Sequence, residues 1–111
     1  MIRSIVILTL MLSAAVAMGQ QGKGALKGQV SDEFGGVIVG ATVVVTDAKG
    51  VTKTTTTNGD GNYLLAGLTP GKYSLQVTAP GFATYDNAEV ELAAARTEQL
   101  NVILKVTIEQ Q

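Results

Sequence analysis

A chain of 111 residues with 8 basic and 9 acidic side chains, a net charge of −1 and 46% hydrophobic residues has room for one small domain and carries no charge excess that would draw it to nucleic acid. It contains neither cysteine nor histidine, which removes disulfides, thiol nucleophiles, the commonest general base and the commonest metal ligand together. No catalytic residue, metal site or cofactor is expected, and stability must come from a packed apolar core.

The chain opens with one basic residue, Arg3, followed by Ile5, Val6, Ile7, Leu8, Leu10, Met11 and Leu12, then small residues at Ala14, Ala15 and Ala17. This is the layout of a secretory signal peptide. The apolar stretch to Met18 is about 14 residues, short of the roughly 20 that cross a bilayer as a helix. Ala15-Val16-Ala17 supplies a small-x-small step, so cleavage is expected after Ala17, with Gly19 the next candidate boundary; no cysteine follows to carry a lipid. The expected division is a signal peptide over 1–17, a flexible lead over 18–22, one domain over 23–108 and a tail over 109–111. The mature protein would be exported to periplasm, cell surface or medium, with no stable membrane span.

Beyond the lead, short alternating runs separated by Gly, Asn, Asp and Pro predict antiparallel strands joined by tight turns. Leu26, Gly28 and Val30 share one phase, closed by a turn over Asp32 to Gly36; Ala41, Val43 and Val45 share the next, ended by Asp47-Ala48-Lys49-Gly50. Thr52 to Thr57 is β-branched with little apolar content, which suits an edge strand. Asn58-Gly59-Asp60-Gly61 turns the chain into Tyr63, Leu65 and Leu68; Pro70-Gly71 turns it into Tyr73, Leu75 and Val77; Ala79-Pro80-Gly81 follows, with Phe82 plugging the core beside it. Val90 and Leu92 form a sixth run, and Leu100, Val102 and Leu104 a seventh, which Val106 and Ile108 would lengthen. Seven strands with one apolar face each bury those faces as two packed sheets, so the expected fold is an all-β, seven-stranded antiparallel sandwich. The nearly continuous apolar segment Val37 to Val45 is expected to be buried.

Five of these pieces occur in the order of a known family. Gly28-Gln29-Val30-Ser31-Asp32, Gly40-Ala41-Thr42-Val43-Val44-Val45, Thr57-Asn58-Gly59-Asp60-Gly61-Asn62-Tyr63, Leu68-Thr69-Pro70-Gly71-Lys72-Tyr73 and Ala79-Pro80-Gly81-Phe82 resemble the carboxypeptidase regulatory-like domain. The resemblance implies a transthyretin-like sandwich, used in bacteria as an accessory module on secreted peptidases and surface proteins and at the amino terminus of TonB-dependent outer-membrane receptors. It also implies structural turn roles for Gly40, Gly61, Pro70, Gly71, Pro80 and Gly81.

Functional alternatives can be weighed residue by residue. Ser31 and Ser74 have no base partner, and hydrolases that resemble this fold depend on histidines that are missing here. Asn58, Asp60 and Asn62 have the first spacings of a calcium loop, but its bidentate carboxylate would fall at Thr69, so a plain hairpin turn is expected. Lys27, Asn101 and Glu91 occupy the positions of an isopeptide bond in adhesin sandwiches that resemble this fold; Lys27 and Asn101, however, fall in the outward phase and read as surface residues. Stacking on a sugar would need exposed rings, for which Tyr85 and Phe34 are the candidates. The Thr54 to Thr57 edge could recruit a partner strand. The expected function is that of an exported, noncatalytic module with an accessory, structural or protein-interaction role, bound through its loops or edge strand; the alternatives are a carbohydrate-binding module and the detached amino-terminal extension of a TonB-dependent receptor.

Overall fold

The computed structural model describes residues 22–107. The expected signal peptide, all but the last residue of the lead, Ile108 at the end of the expected domain, and the tail lie outside the described residues.

Among the described residues all regular structure is β: β1 (Gly24–Asp32), β2 (Thr42–Asp47), β3 (Thr52–Thr56), β4 (Asn62–Leu68), β5 (Gly71–Thr78), β6 (Tyr85–Leu92), β7 (Thr97–Gln99) and β8 (Val102–Leu104). They form two four-stranded sheets. One has the order β3-β2-β5-β6 and is antiparallel throughout. In the other, β1 is central, with β4 antiparallel on one side and β7 and β8 in succession on the other. The apolar phases meet between the sheets: Leu26 and Val30, Val43 and Val45, Tyr63, Leu65 and Leu68, Tyr73, Leu75 and Val77, Val90 and Leu92, Val102 and Leu104 are all buried. The step of three from Leu65 to Leu68 is absorbed by Gly67, whose φ of 70° accompanies a register shift against Gly24 and Leu26. This bulge returns Leu68 to the inner face.

Two expectations change. The last run forms a strand only from Val102, as β8; an additional short strand, β7, precedes Leu100, and both pair with β1 in parallel rather than antiparallel. Alternation of side chains is the same in either direction, so the pattern could not report it. The split falls at Leu100, whose N–H donates to the Lys27 carbonyl (2.8 Å) while its own carbonyl turns inward to accept from the Tyr63 hydroxyl (2.6 Å). Asn101 then repairs the ladder, its side-chain carbonyl accepting from the Gln29 N–H at 3.0 Å.

The segment Val37 to Val45 is also not buried as a unit. Val37 and Val39 are 44% and 61% exposed, whereas Ile38, Ala41, Val43 and Val45 are buried. Residues before β2 run across the end of the sandwich and are held there by Thr57, the one buried polar side chain among the described residues. Its hydroxyl accepts from the Ala41 N–H (2.8 Å) and donates to the Ile38 carbonyl (2.6 Å), and its backbone bonds Ala41 and Gly40 (2.9 and 3.0 Å).

Candidate functional site

Three loops are built on one device. Asp32, Asp47 and Asn58 each use a side-chain oxygen to accept from the N–H groups two and four residues on: Phe34 and Gly36 at 2.8 and 2.9 Å, Lys49 and Val51 at 2.8 and 2.9 Å, Asp60 and Asn62 both at 3.0 Å. In each, the glycine three residues on has positive φ: Gly35 at 87°, Gly50 at 87° and Gly61 at 75°. Short side-chain acceptors bend the backbone this way, and glycine takes the left-handed position without a Cβ penalty. The oxygen that would open a calcium loop at Asn58 is therefore spent on the turn. After β5, the Phe82 N–H donates to the Ala79 carbonyl at 3.1 Å, with Pro80 and Gly81 (φ 81°) at the centre of the turn, as a type II turn requires. Gly40 and Gly71 also have positive φ, 75° and 145°. Around Pro70-Gly71, the Tyr73 hydroxyl donates to the Thr69 carbonyl at 2.7 Å and pins the corner.

The two rings named as candidates differ in exposure. Phe34 stands 86% exposed on the loop after β1. Tyr85, by contrast, is half-buried and packs on the core, because it lies opposite the fully buried Val77 in the β5–β6 register and so shares the inward phase. Phe82 packs beside the core as expected. Lys27, Asn101 and Glu91 are exposed and do not come together as a triad: Lys27 and Asn101 lie on the outer face of the β1 sheet, where the Asn101 side-chain carbonyl is engaged by Gln29, whereas Glu91 lies on the other sheet, facing Lys72 at 3.8 Å. Tyr63 is enclosed near Leu100; burial, reinforced by the neighbouring Tyr85 hydroxyl, pushes its pKa up to about 12, so it serves as a neutral donor.

β3 is an edge strand. The flanking bonds Asp47–Val51 and Thr57–Ala41 set the alternation so that Lys53 and Thr55 turn their backbone groups to β2, leaving those of Thr52, Thr54 and Thr56 on the open side. The Lys53 ammonium reaches across to the Gly67 carbonyl at 3.0 Å, joining the two sheets along that flank.

A further feature escaped sequence reasoning. On the outer face of the β1 sheet, the pairings Lys27–Leu64 and Lys27–Gln99 form one row, and Gln29, Asn62 and Asn101 form the next. These six side chains line a groove of about 400 Å³. Each alone looks like a solvated surface residue; only strand register places them together. Among the described residues no helix is long and apolar enough to cross a membrane.

The model of the carboxypeptidase regulatory-like domain family matches residues 25–105. No curated protein matches the chain in sequence. Among solved structures, the chain is similar to hydroxyquinol 1,2-dioxygenase from Pseudomonas putida (TM-score 0.64, 10% identity, covering 82% of this chain and 59% of that one). It is also similar to the Bacillus anthracis TIE protein (0.63, 22%, covering 77% and 17%) and to a putative carbohydrate binding protein from Bacteroides uniformis (0.63, 11%, covering 75% and 41%). The chain thus spans less than two thirds of each of these proteins, and at such identities the likeness is one of fold. The match along most of the described strands is of another kind: this chain belongs to the carboxypeptidase regulatory-like domain family.

Proposed function

We propose that the protein is an exported, noncatalytic accessory module that docks onto a partner protein through the loop from Glu33 to Val39. The observation that carries this reading is the Phe34 ring, 86% exposed on a loop fixed by two hydrogen bonds to Asp32. An apolar ring left in water gains on burial, and a loop that is already fixed loses little entropy when it binds; together these are the properties of an interface anchor. Val37 and Val39 extend the apolar surface beside it. Export is supported by the composition of residues 3–17, and a noncatalytic role by a sequence without histidine or cysteine and by the family's regulatory-like character.

A photoreactive residue in place of Phe34 should cross-link to a discrete protein in intact cells, while the same residue in place of Thr54 on the open edge should not. Cross-linking from position 54 alone would move the interface to the edge strand, and none from either position would count against docking. Export is checked by the amino terminus of the mature protein, expected at Met18.

A further inference from the structure

We propose that the groove on the outer face of the β1 sheet binds a carboxylate-bearing oligosaccharide, a chain containing uronic acid. The proposal is independent of the protein-docking loop, which lies at the end of the sandwich rather than on this face.

The groove exists because the last strand is interrupted. Where the Leu100 carbonyl turns inward to the Tyr63 hydroxyl, over a Gly28 that has no Cβ to oppose it, the β7–β8 edge is broken. What lines the opening is chemically distinctive. Of its six outward-facing side chains four are amides, one is a lysine and one is a leucine, and no carboxylate side chain lines it. Amides present donors and acceptors side by side, which matches a ligand whose hydroxyls do the same. Two of the four are already oriented by the protein. Asn101 spends its carbonyl on the Gln29 N–H, so its NH₂ is left to donate. Gln29 spends its NH₂ on the Asp60 carbonyl at 3.1 Å, so its carbonyl is left to accept. Side chains fixed in this way lose little rotamer freedom when a ligand arrives. Asn62 and Gln99 add further amides. Leu64, 58% exposed, offers the apolar surface on which the C–H face of a sugar ring can lie.

Lys27 supplies the charge selectivity. It sits between Leu64 and Gln99, and the ion pair found among the described residues, Lys72–Glu91, does not involve it. A neutral sugar would leave this ammonium without a counter-charge, and an acidic peptide would leave the amides without hydroxyls; a uronate oligosaccharide satisfies both. The volume, about 400 Å³, falls within the range of small-ligand sites and would hold about two sugar rings. Tyr85 and Phe34 take no part.

The test is titration of the full-length mature protein, isotopically labelled, with oligogalacturonate, with an uncharged gluco-oligosaccharide of equal length, and with oligoglutamate, followed by amide chemical shifts. The expected result is saturable shifts with oligogalacturonate centred on Lys27, Gln29, Asn62, Leu64, Gln99 and Asn101. Binding should weaken at high salt and by about tenfold in Lys27→Gln, through loss of a charge-assisted contact. Asn62→Ala should weaken it severalfold. Both positions are exposed, and unchanged thermal melting confirms that the variants fold. No saturable shifts, shifts centred elsewhere, equal binding of the uncharged oligosaccharide or of oligoglutamate, or unchanged affinity in Lys27→Gln would each overturn the proposal.

Discussion

The Tyr63 hydroxyl donates to the Leu100 carbonyl at 2.6 Å, and this bond joins β4 to the interruption between β7 and β8 across 37 residues of chain. Gly28 lies beneath the same carbonyl, and a Cβ added there would land on the carbonyl oxygen and crowd the Tyr63 ring. The inward turn of Leu100 therefore needs both a donor at position 63 and no side chain at position 28. Gly28→Ala is expected to cost at least about 4 kcal/mol or to prevent folding, since the clash is with backbone. Tyr63→Phe removes only the donor and should cost about 1–2 kcal/mol. Urea unfolding of the two variants checks the order; equal losses would show that the carbonyl does not occupy that space.

The same hydroxyl predicts an alkaline dependence. Burial holds the Tyr63 proton on, raising its pKa from 10 to about 12. Because the folded state keeps the proton more tightly, the contribution is complete below pH 10 and is lost as pH rises from 10 to 12. The readout is the difference between wild type and Tyr63→Phe, in which contributions common to the two proteins cancel. That difference should narrow steadily across the window, and a difference independent of pH would contradict the assignment.

Thr57 is expected to be the one indispensable threonine of its run. Thr57→Val keeps the shape but leaves the Ala41 N–H and the Ile38 carbonyl without the partners they have at 2.8 and 2.6 Å, for a cost of about 2–3 kcal/mol. Thr57→Ser keeps the hydroxyl and should recover most of that. Thr54→Val, on the exposed edge, should stay within about 0.5 kcal/mol of wild type. Denaturant midpoints of the three variants provide the comparison.

What sequence could reveal here follows from what a strand repeats. Inward positions recur every second residue, so the core residues of β1, β2, β5 and β6 were legible, and the Gly- and Pro-rich turns marked where each run stops. Pairing leaves no such trace. The parallel direction of β7 and β8 is invisible for that reason, as is the groove, whose six outward-facing side chains come from β1, β4 and the β7–β8 region. Simple alternation from Val90 puts Tyr85 outward, but the bulge between Tyr73 and Leu75 in the β5–β6 register shifts the phase within β6, so that Val90 and Tyr85, an odd number of residues apart, both face inward. Thr57 reads in sequence as the end of a solvated run because its two hydrogen-bond partners lie 16 and 19 residues earlier in the chain.

The three loops built alike allow a controlled comparison of backbone strain with packing. Gly35 and Gly61 hold equivalent positions, with φ of 87° and 75°. Around Gly35 there is nothing within 4 Å of an added Cβ, so Gly35→Ala should cost only the left-handed conformation, about 1 kcal/mol. At Gly61 a Cβ would meet the Val37 Cβ at 2.8 Å and the Val30 carbonyl oxygen at 2.9 Å, because this turn tucks under the segment that closes the end of the sandwich. Gly61→Ala should therefore cost the same strain plus the displacement of packed neighbours, roughly 3 kcal/mol in all. Replacing Val37 by Ala as well removes none of its Cβ, so the double variant should recover little, whereas Val37→Gly combined with Gly61→Ala should regain part of the loss. Equal costs at positions 35 and 61 would mean that the Val37 segment yields freely, and the Thr57 bonds would then not be what holds it in place.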